Sequence, residues 1–159
     1  MSLNKPRELD RIDLTILDTL QHDGRISNAD LAKKVNLSAS PCLERVRRLE
    51  AEGYIKGYRA TLDAKRLKYG MTSFIQVSLD RTTVGDFNCF KEEVIKIKEV
   101  VECHMVAGGF DYLLKVRFDN MDDYRVVLGA IVELPAVSTT HTYVVLEDIK
   151  TDDGIPIIK

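Results

Sequence analysis

The chain has 159 residues, 45% of them hydrophobic and 30% charged, and a formal net charge of −2. That suffices for one ordinary domain or two small ones, and nothing in the composition points to disorder. The longest apolar runs, Tyr143–Leu146 and Val126–Val132, are far too short to cross a bilayer. Three scattered cysteines give neither a disulfide framework nor metal-ligand spacing, and His22, His104 and His141 are equally dispersed.

The charge is uneven. Residues 1–60 hold 11 Lys+Arg against 9 Asp+Glu, while the remainder holds 12 against 16. A mildly basic front and an acidic back suggest two jobs. The opening MSLNKPRELD lacks the apolar core of a secretion signal, so a cytoplasmic protein without membrane attachment is expected.

In chain order, Asp10 is placed to cap a first helix with Ile12, Ile16, Leu17 and Leu20 at helical spacing, ended by the turn glycine of HDGR. Ser27, with Asp30 three residues on, caps a second helix that buries Leu31, Ala32 and Val35. Asn36 and Leu37 make a tight turn. SASPCLERVRRLEAEG then opens a third helix, with Ser38 or Ser40 as its cap and Pro41 in its first turn. GYIKGYRATLD, with Gly57 between two β-prone runs, reads as a short hairpin or wing.

A connection at Ala64–Gly70 leads to the second half, giving domains over 1–62 and 63–159. Ile75, Val77 and Leu79 alternate on a strand, and Phe87, Phe90, Val94 and Ile97 make a helical stripe. VVECHMV and FDYLLKVRF are strands joined by the turn AGG. The second of them puts Phe110, Tyr112, Leu114, Val116 and Phe118 on one side. Tyr124, Val127, Leu128 and Ile131 form another helix, stopped at Leu134-Pro135, and VSTTHTYVVLEDI is the last strand. The order βαββαβ fits a ferredoxin-like sheet with both helices on one face. The fold class is therefore α+β, a winged helix-turn-helix followed by a ferredoxin-like domain. The free sheet face, mixed in polarity, is expected to meet a second copy.

On the third helix, Cys42, Leu43, Val46 and Leu49 share the apolar side. Ser38, Ser40, Pro41, Glu44, Arg47 and Arg48 lie opposite or beside it, and Arg45 flanks it. Short polar groups at a helix N-terminus suit base edges, and arginines further along suit phosphates of double-stranded DNA. The competing reading is a solvated face in which Glu44 pairs with Arg47 and Arg48. Three short helices, a tight turn, a wing and 8 Lys+Arg against 4 Asp+Glu between Arg25 and Arg59 favour DNA. So small a charge gives weak, salt-sensitive contact, which several linked heads would strengthen.

In the turn Ala107–Tyr112, Gly108 and Gly109 can present backbone N–H groups to a carboxylate, and Asp111 can hold an ammonium. Met105, Met121 and Val145 would supply apolar contacts, so these parts suit a free amino acid. A plain hairpin turn with a solvated Asp111 is the other reading. No paired catalytic carboxylates, nucleophile–base set or phosphate loop points to an enzyme, and no metal or cofactor beyond the effector is implied.

LDRIDLTILDTLQHDGRISNADLAKKV, LSASPCLERVRRLEAEGYIKGY, ECHMVAGGFDYLLKV and TYVVLEDIK resemble the Lrp/AsnC, or feast/famine, regulators over nearly the whole chain. The resemblance implies a transcription regulator that forms dimers, commonly assembled into octamers. It also implies amino acids bound between dimers around Gly108 to Tyr112, with leucine the leading effector. Gly109 stands where relatives often carry Asp, which removes a possible carboxylate from that pocket. The alternative function is an amino-acid-binding ferredoxin-like regulatory module of metabolism that does not touch DNA.

Overall fold

The computed structural model describes residues 8–81, 83–151 and 154–158. The chain forms two compact units: Met1–Thr61 together with Thr151–Lys159, and Leu62–Lys150. The last stretch thus joins the first unit, whereas the sequence had placed it in the second.

The first unit holds three helices, α1 (Arg11–His22), α2 (Asn28–Lys34) and α3 (Ala39–Ala51). Asp10 and Asp13 form a reciprocal capping box that starts α1. Ser27 accepts from the Asp30 N–H to start α2. The turn into α3 works because Asn36 takes a left-handed conformation, φ 55°, which asparagine tolerates, and the Leu37 N–H donates to the Ala32 carbonyl at 2.9 Å. Ile16, Leu31, Ala32, Val35, Cys42 and Leu49 make the core between the helices.

The expected wing hairpin is not present among the described residues: Ile55–Asp63 carries no strand. Its first arm is already committed. Gly53, at φ 78°, closes α3, and the N–H groups of Tyr54 and Ile55 both donate to the Leu49 carbonyl at 2.9 and 3.2 Å. Those donors are not available to a ladder, and two short strands alone would be marginal. Tyr54–Tyr58 instead borders a cavity along α1 with Leu14, Leu17 and Gln21.

The second unit is a four-stranded antiparallel sheet in the order β2-β3-β1-β4, built from β1 (Met71–Leu79), β2 (Val100–Met105), β3 (Tyr112–Phe118) and β4 (Val137–Val144). Two helices, α4 (Val84–Val94) and α5 (Met121–Val132), supply the crossovers. Thr83 and Asn120 cap them. Alternation decides the layers. Ile75, Val77, Leu79, Tyr112, Leu114, Val116 and Phe118 face Phe90, Val94, Tyr124, Val127 and Ile131 in one core. On the other face the register sets Phe74 opposite Lys115 and Tyr143, and Gln76 opposite Leu113 and His141. Neither helix of this unit contributes to that face. β4 stops at Val144, short of the expected Ile149.

Candidate DNA interface and effector site

The recognition helix candidate α3 carries its seven proposed contacts in two environments. Ser38, Ser40, Pro41, Glu44 and Arg47 are exposed. The Ser38 hydroxyl makes no capping bond although Ser38 occupies the N-cap position. Among the described residues neither Glu44 nor Arg47 enters an ion pair, so the Glu44–Arg47/Arg48 pairing of a solvated face does not form. Leu43, expected inside, is 37% exposed. Ser40, Leu43, Glu44 and Arg47 therefore form one outward row at i, i+3, i+4 and i+7.

Arg45 and Arg48 are not on that row. Arg45 Nη1 lies 2.7 Å from both Asp10 Oδ2 and Asp13 Oδ1, and Arg48 Nη2 lies 2.6 Å from Asp13 Oδ2. Asp13 is 0% exposed, while the two arginine side chains are 25% and 23% exposed. The two guanidiniums neutralise the buried carboxylate and bolt α3 to the start of α1. Geometry explains the choice: Arg45 and Arg48 stand one turn apart on α3, and Asp10 and Asp13 stand one turn apart at the start of α1. The Asp13 N–H and then the Arg45 guanidinium hold the Asp10 carboxyl below its ordinary range. Asp10, and after it Asp13, push Arg45 further up. At the foot of α3 the Tyr58 hydroxyl donates to Glu50 at 2.9 Å. Partial burial first, and Glu50 second, push it up to about 12.

Two cations counted toward a polyanion from sequence are thus spent inside the unit, and Lys33 is paired with Asp30 at 3.1 Å. Arg25, Lys34, Arg47, Lys56 and Arg59 stay exposed. Asn28 was missed by sequence reasoning: its Nδ2 donates to the Ala39 carbonyl at 2.8 Å, tying α2 to the first turn of α3. A polar residue just inside a helix start gives no sequence signal for that role.

The effector candidates also divide. Tyr112 is buried: its ring stacks on Phe90 at 4.3 Å and meets Phe87 edge-on at 6.1 Å. It builds the core and does not line the turn. Asp111 Oδ2 accepts from the Leu79 N–H at 2.8 Å, while its own N–H donates to the Val77 carbonyl at 3.0 Å. One of its carboxylate oxygens therefore finishes the end of the β1–β3 ladder rather than standing ready for an ammonium. Met105, Ala107, Gly108 and Gly109 remain exposed around the turn. Gly108 and Gly109 do not use the left-handed region, and an added Cβ would meet nothing within 4 Å at either. Nothing inside the chain requires glycine at these two positions.

Met121 and Val145 lie elsewhere. The Val145 N–H donates to the Thr72 carbonyl, and Met121 begins α5 just after Phe118. The turn adjoins the Val77 end of the same strands. Five strand residues, about 17 Å, separate the two groups. One chain does not bring them into a single pocket. Among the described residues no group of three or more His, Cys, Asp or Glu is placed to hold a metal, and no helix is long and apolar enough to cross a membrane.

A helix-turn-helix unit with an outward polar helix, joined to a βαββαβ domain, defines a ligand-responsive DNA-binding protein. Residues 9–56 match the family model described as winged helix-turn-helix DNA-binding, and residues 72–155 match the Lrp/AsnC ligand binding domain. The leucine-responsive regulatory proteins of Klebsiella pneumoniae and Escherichia coli K12 are each 48% identical over 152 residues, covering 95% of this chain and 93% of the relative. A transcriptional regulator from Neisseria meningitidis, solved with L-methionine, superposes with TM-score 0.89 at 35% identity, covering 94% of this chain and 97% of that one. A feast or famine regulatory protein from Mycobacterium tuberculosis, also with L-methionine, gives 0.85 at 28% identity, covering 93% and 99%. The chain belongs to the Lrp/AsnC family, and it is a transcription regulator with a DNA-binding and an amino-acid-binding part. The alternative of a metabolic module without DNA binding finds no support in these likenesses.

Proposed function

We propose that the chain regulates transcription in response to leucine, reading duplex DNA with the outward row of α3. The observation that carries the DNA contact is this row: Ser40, Leu43, Glu44 and Arg47 share one exposed side, flanked by Ser38 and Pro41 at the tip. Ser38 and Ser40 hydroxyls fit base edges or phosphates, Leu43 fits a thymine methyl, and Arg47 fits a phosphate one to two turns further on. Arg45 and Arg48 act behind this surface by fixing the angle of α3.

The effector is assigned to a site between subunits. Met105, Ala107, Gly108 and Gly109 approach from one copy and Met121 and Val145 from another, since one chain holds these groups about 17 Å apart. The bare glycines of the turn then have a reason, because a ligand carboxylate can reach the backbone N–H groups without a Cβ in the way. The uncovered sheet face with Phe74, Leu113 and Tyr143 packs two copies into a dimer, and dimers assemble further. The amino acid acts through unequal affinity for different assemblies. Leucine is favoured over methionine by the 48% likeness to leucine-responsive proteins, against 35% and 28% for the two methionine complexes.

A thermal-shift screen of the twenty amino acids tests this. Leucine at about a hundred times its Kd should raise Tm by about 5 °C or more, as a ligand specific to the folded form does. A larger shift with methionine and none with leucine would reassign the effector. No shift with any amino acid would remove the sensor from the proposal.

A further inference from the structure

Among the described residues four cations are half-buried: Arg45, Arg48, Lys115 and Arg117. The first three each answer a carboxylate, Arg45 and Arg48 on Asp13 and Lys115 on Glu102 at 2.8 Å. Arg117 enters no ion pair and no side-chain hydrogen bond. A guanidinium drawn partly out of water usually has a partner. Arg117 lies between Val116 and Phe118 of the core, so alternation turns it to the other face of β3. There it lines a cavity of about 320 Å³ within the second unit. Lys98, exposed and also without an ion pair, lines the same cavity. The hydrocarbon wall comes from two devices. A bulge in β2 leaves Val101 as an extra residue between the Val100–Val116 and Glu102–Lys115 pairs. The turn Asp63–Tyr69 brings Leu67 and Tyr69, and is closed by the Leu67 N–H on the Asp63 carbonyl at 3.3 Å and the Tyr69 N–H on the Ala64 carbonyl at 2.8 Å. Leu62 completes it.

We propose that this cavity binds a small monocarboxylate with an apolar body, its carboxylate on Arg117 and Lys98 and its hydrocarbon against Leu62, Leu67 and Val101. Mostly apolar walls with a few convergent polar groups are the usual make-up of a small-ligand site, and the volume sits near the lower end of the usual range, roughly 300–1,000 Å³. Charge sets the class. The wall carries two cations and one carboxylate, Glu99, which enters no ion pair with either. One added carboxylate balances that excess. A zwitterion leaves it standing, and a neutral molecule leaves Arg117 unanswered. Arg117 is suited to the task because its planar fork meets a carboxylate through two parallel N–H bonds. A neighbouring cavity of about 450 Å³ shares Leu67, Tyr69 and Glu99 but adds Asp119 and Asp123 against Lys68, so it repels the same anion. The site is separate from the turn at Gly108 and Gly109, and it depends on neither the DNA reading nor the effector reading.

Methyl NMR on the full chain, with labelled Leu, Val and Met methyls, tests it. Isocaproate at millimolar concentration should move the methyls of Leu62, Leu67 and Val101 and saturate. Isocaproamide, the uncharged twin, should move them little, and leucine, which is isocaproate with an ammonium added, should move them less than isocaproate. Arg117→Gln should weaken isocaproate at least about tenfold, the loss of a charge-assisted pair, and Arg117→Lys should keep most of the affinity. Neither variant should change the melting curve, because the Arg117 side chain has no partner in the chain and its N–H still donates to the Glu99 carbonyl at 2.9 Å. The methyls of Met105 and Met121 report the proposed effector site in the same spectra, so either proposal can fail without the other. No movement of the three wall methyls, equal response to the amide or to leucine, or unchanged affinity in Arg117→Gln would overturn the monocarboxylate site. Movement of those methyls on dilution of the chain but not with isocaproate would show a second copy filling the cavity, and would overturn it too.

Discussion

Replacing Asp13 with Ala should destabilise the first unit by about 3 kcal/mol, the usual cost of stripping one partner from a buried ion pair. Asp13 is 0% exposed and answers both Arg45 and Arg48. Without it two guanidiniums remain at the α1–α3 contact, partly wetted but with only Asp10 to answer them, and the capping box at the start of α1 loses the side chain that accepts from the Asp10 N–H at 3.2 Å. For a unit of this size such a loss lowers Tm by about 12 °C or more in a calorimetric scan. Asp13→Asn keeps an acceptor and should cost less. A shift under about 2 °C for Asp13→Ala would mean that the arginines find other partners and that the clamp does not hold α3.

Arg47→Ala and Arg48→Ala should separate cleanly, although the residues are neighbours in sequence. Arg47 is exposed without an ion-pair partner among the described residues, so its loss leaves the fold unchanged and removes one phosphate contact per head. DNA affinity should fall about tenfold for each head engaged, and the slope of log affinity against log salt should flatten by about 1 per head. Arg48→Ala should lower Tm, because it strips a partner from Asp13, and leave the salt slope close to that of the unaltered chain. The measurement is a salt titration of binding paired with a melting curve. If Arg48 instead carried the slope change, the outward row would be the wrong docking face.

Periodicity made most of the architecture legible. The stripes of α1, α2, α4 and α5, and the strand alternation through Ile75–Leu79 and Tyr112–Phe118, correspond to the two observed cores. What periodicity does not carry is the direction a long side chain takes at the border of a face. Arg45 and Arg48 flank the apolar side of α3, and only the arrival of Asp10 and Asp13 from α1 turns them inward. Leu43 sits at the opposite border and stays out. Tyr112 was readable: its own strand pattern, alternating with Leu114 and Val116, already put it in the core, against its place in the effector turn. Asp111 was not readable, because its Leu79 partner is 32 residues away and joined only through the sheet. Met121 and Val145 were grouped with the turn by chemistry, and the β1–β3 register sets them at its far end. The hairpin over Gly53–Asp63 fails because helix termination takes the N–H groups that local β-propensity had assigned to a ladder.

Everything functional rests on α3 presenting its free side to a duplex and on an amino acid altering that contact. Fluorescence anisotropy of a labelled genomic duplex, titrated with the full chain across salt concentrations with and without saturating leucine, tests both together. The expected result is affinity that falls steeply with salt and a leucine-dependent shift of at least fivefold in apparent Kd. Binding absent even at low salt, or affinity identical with and without every amino acid, would contradict it.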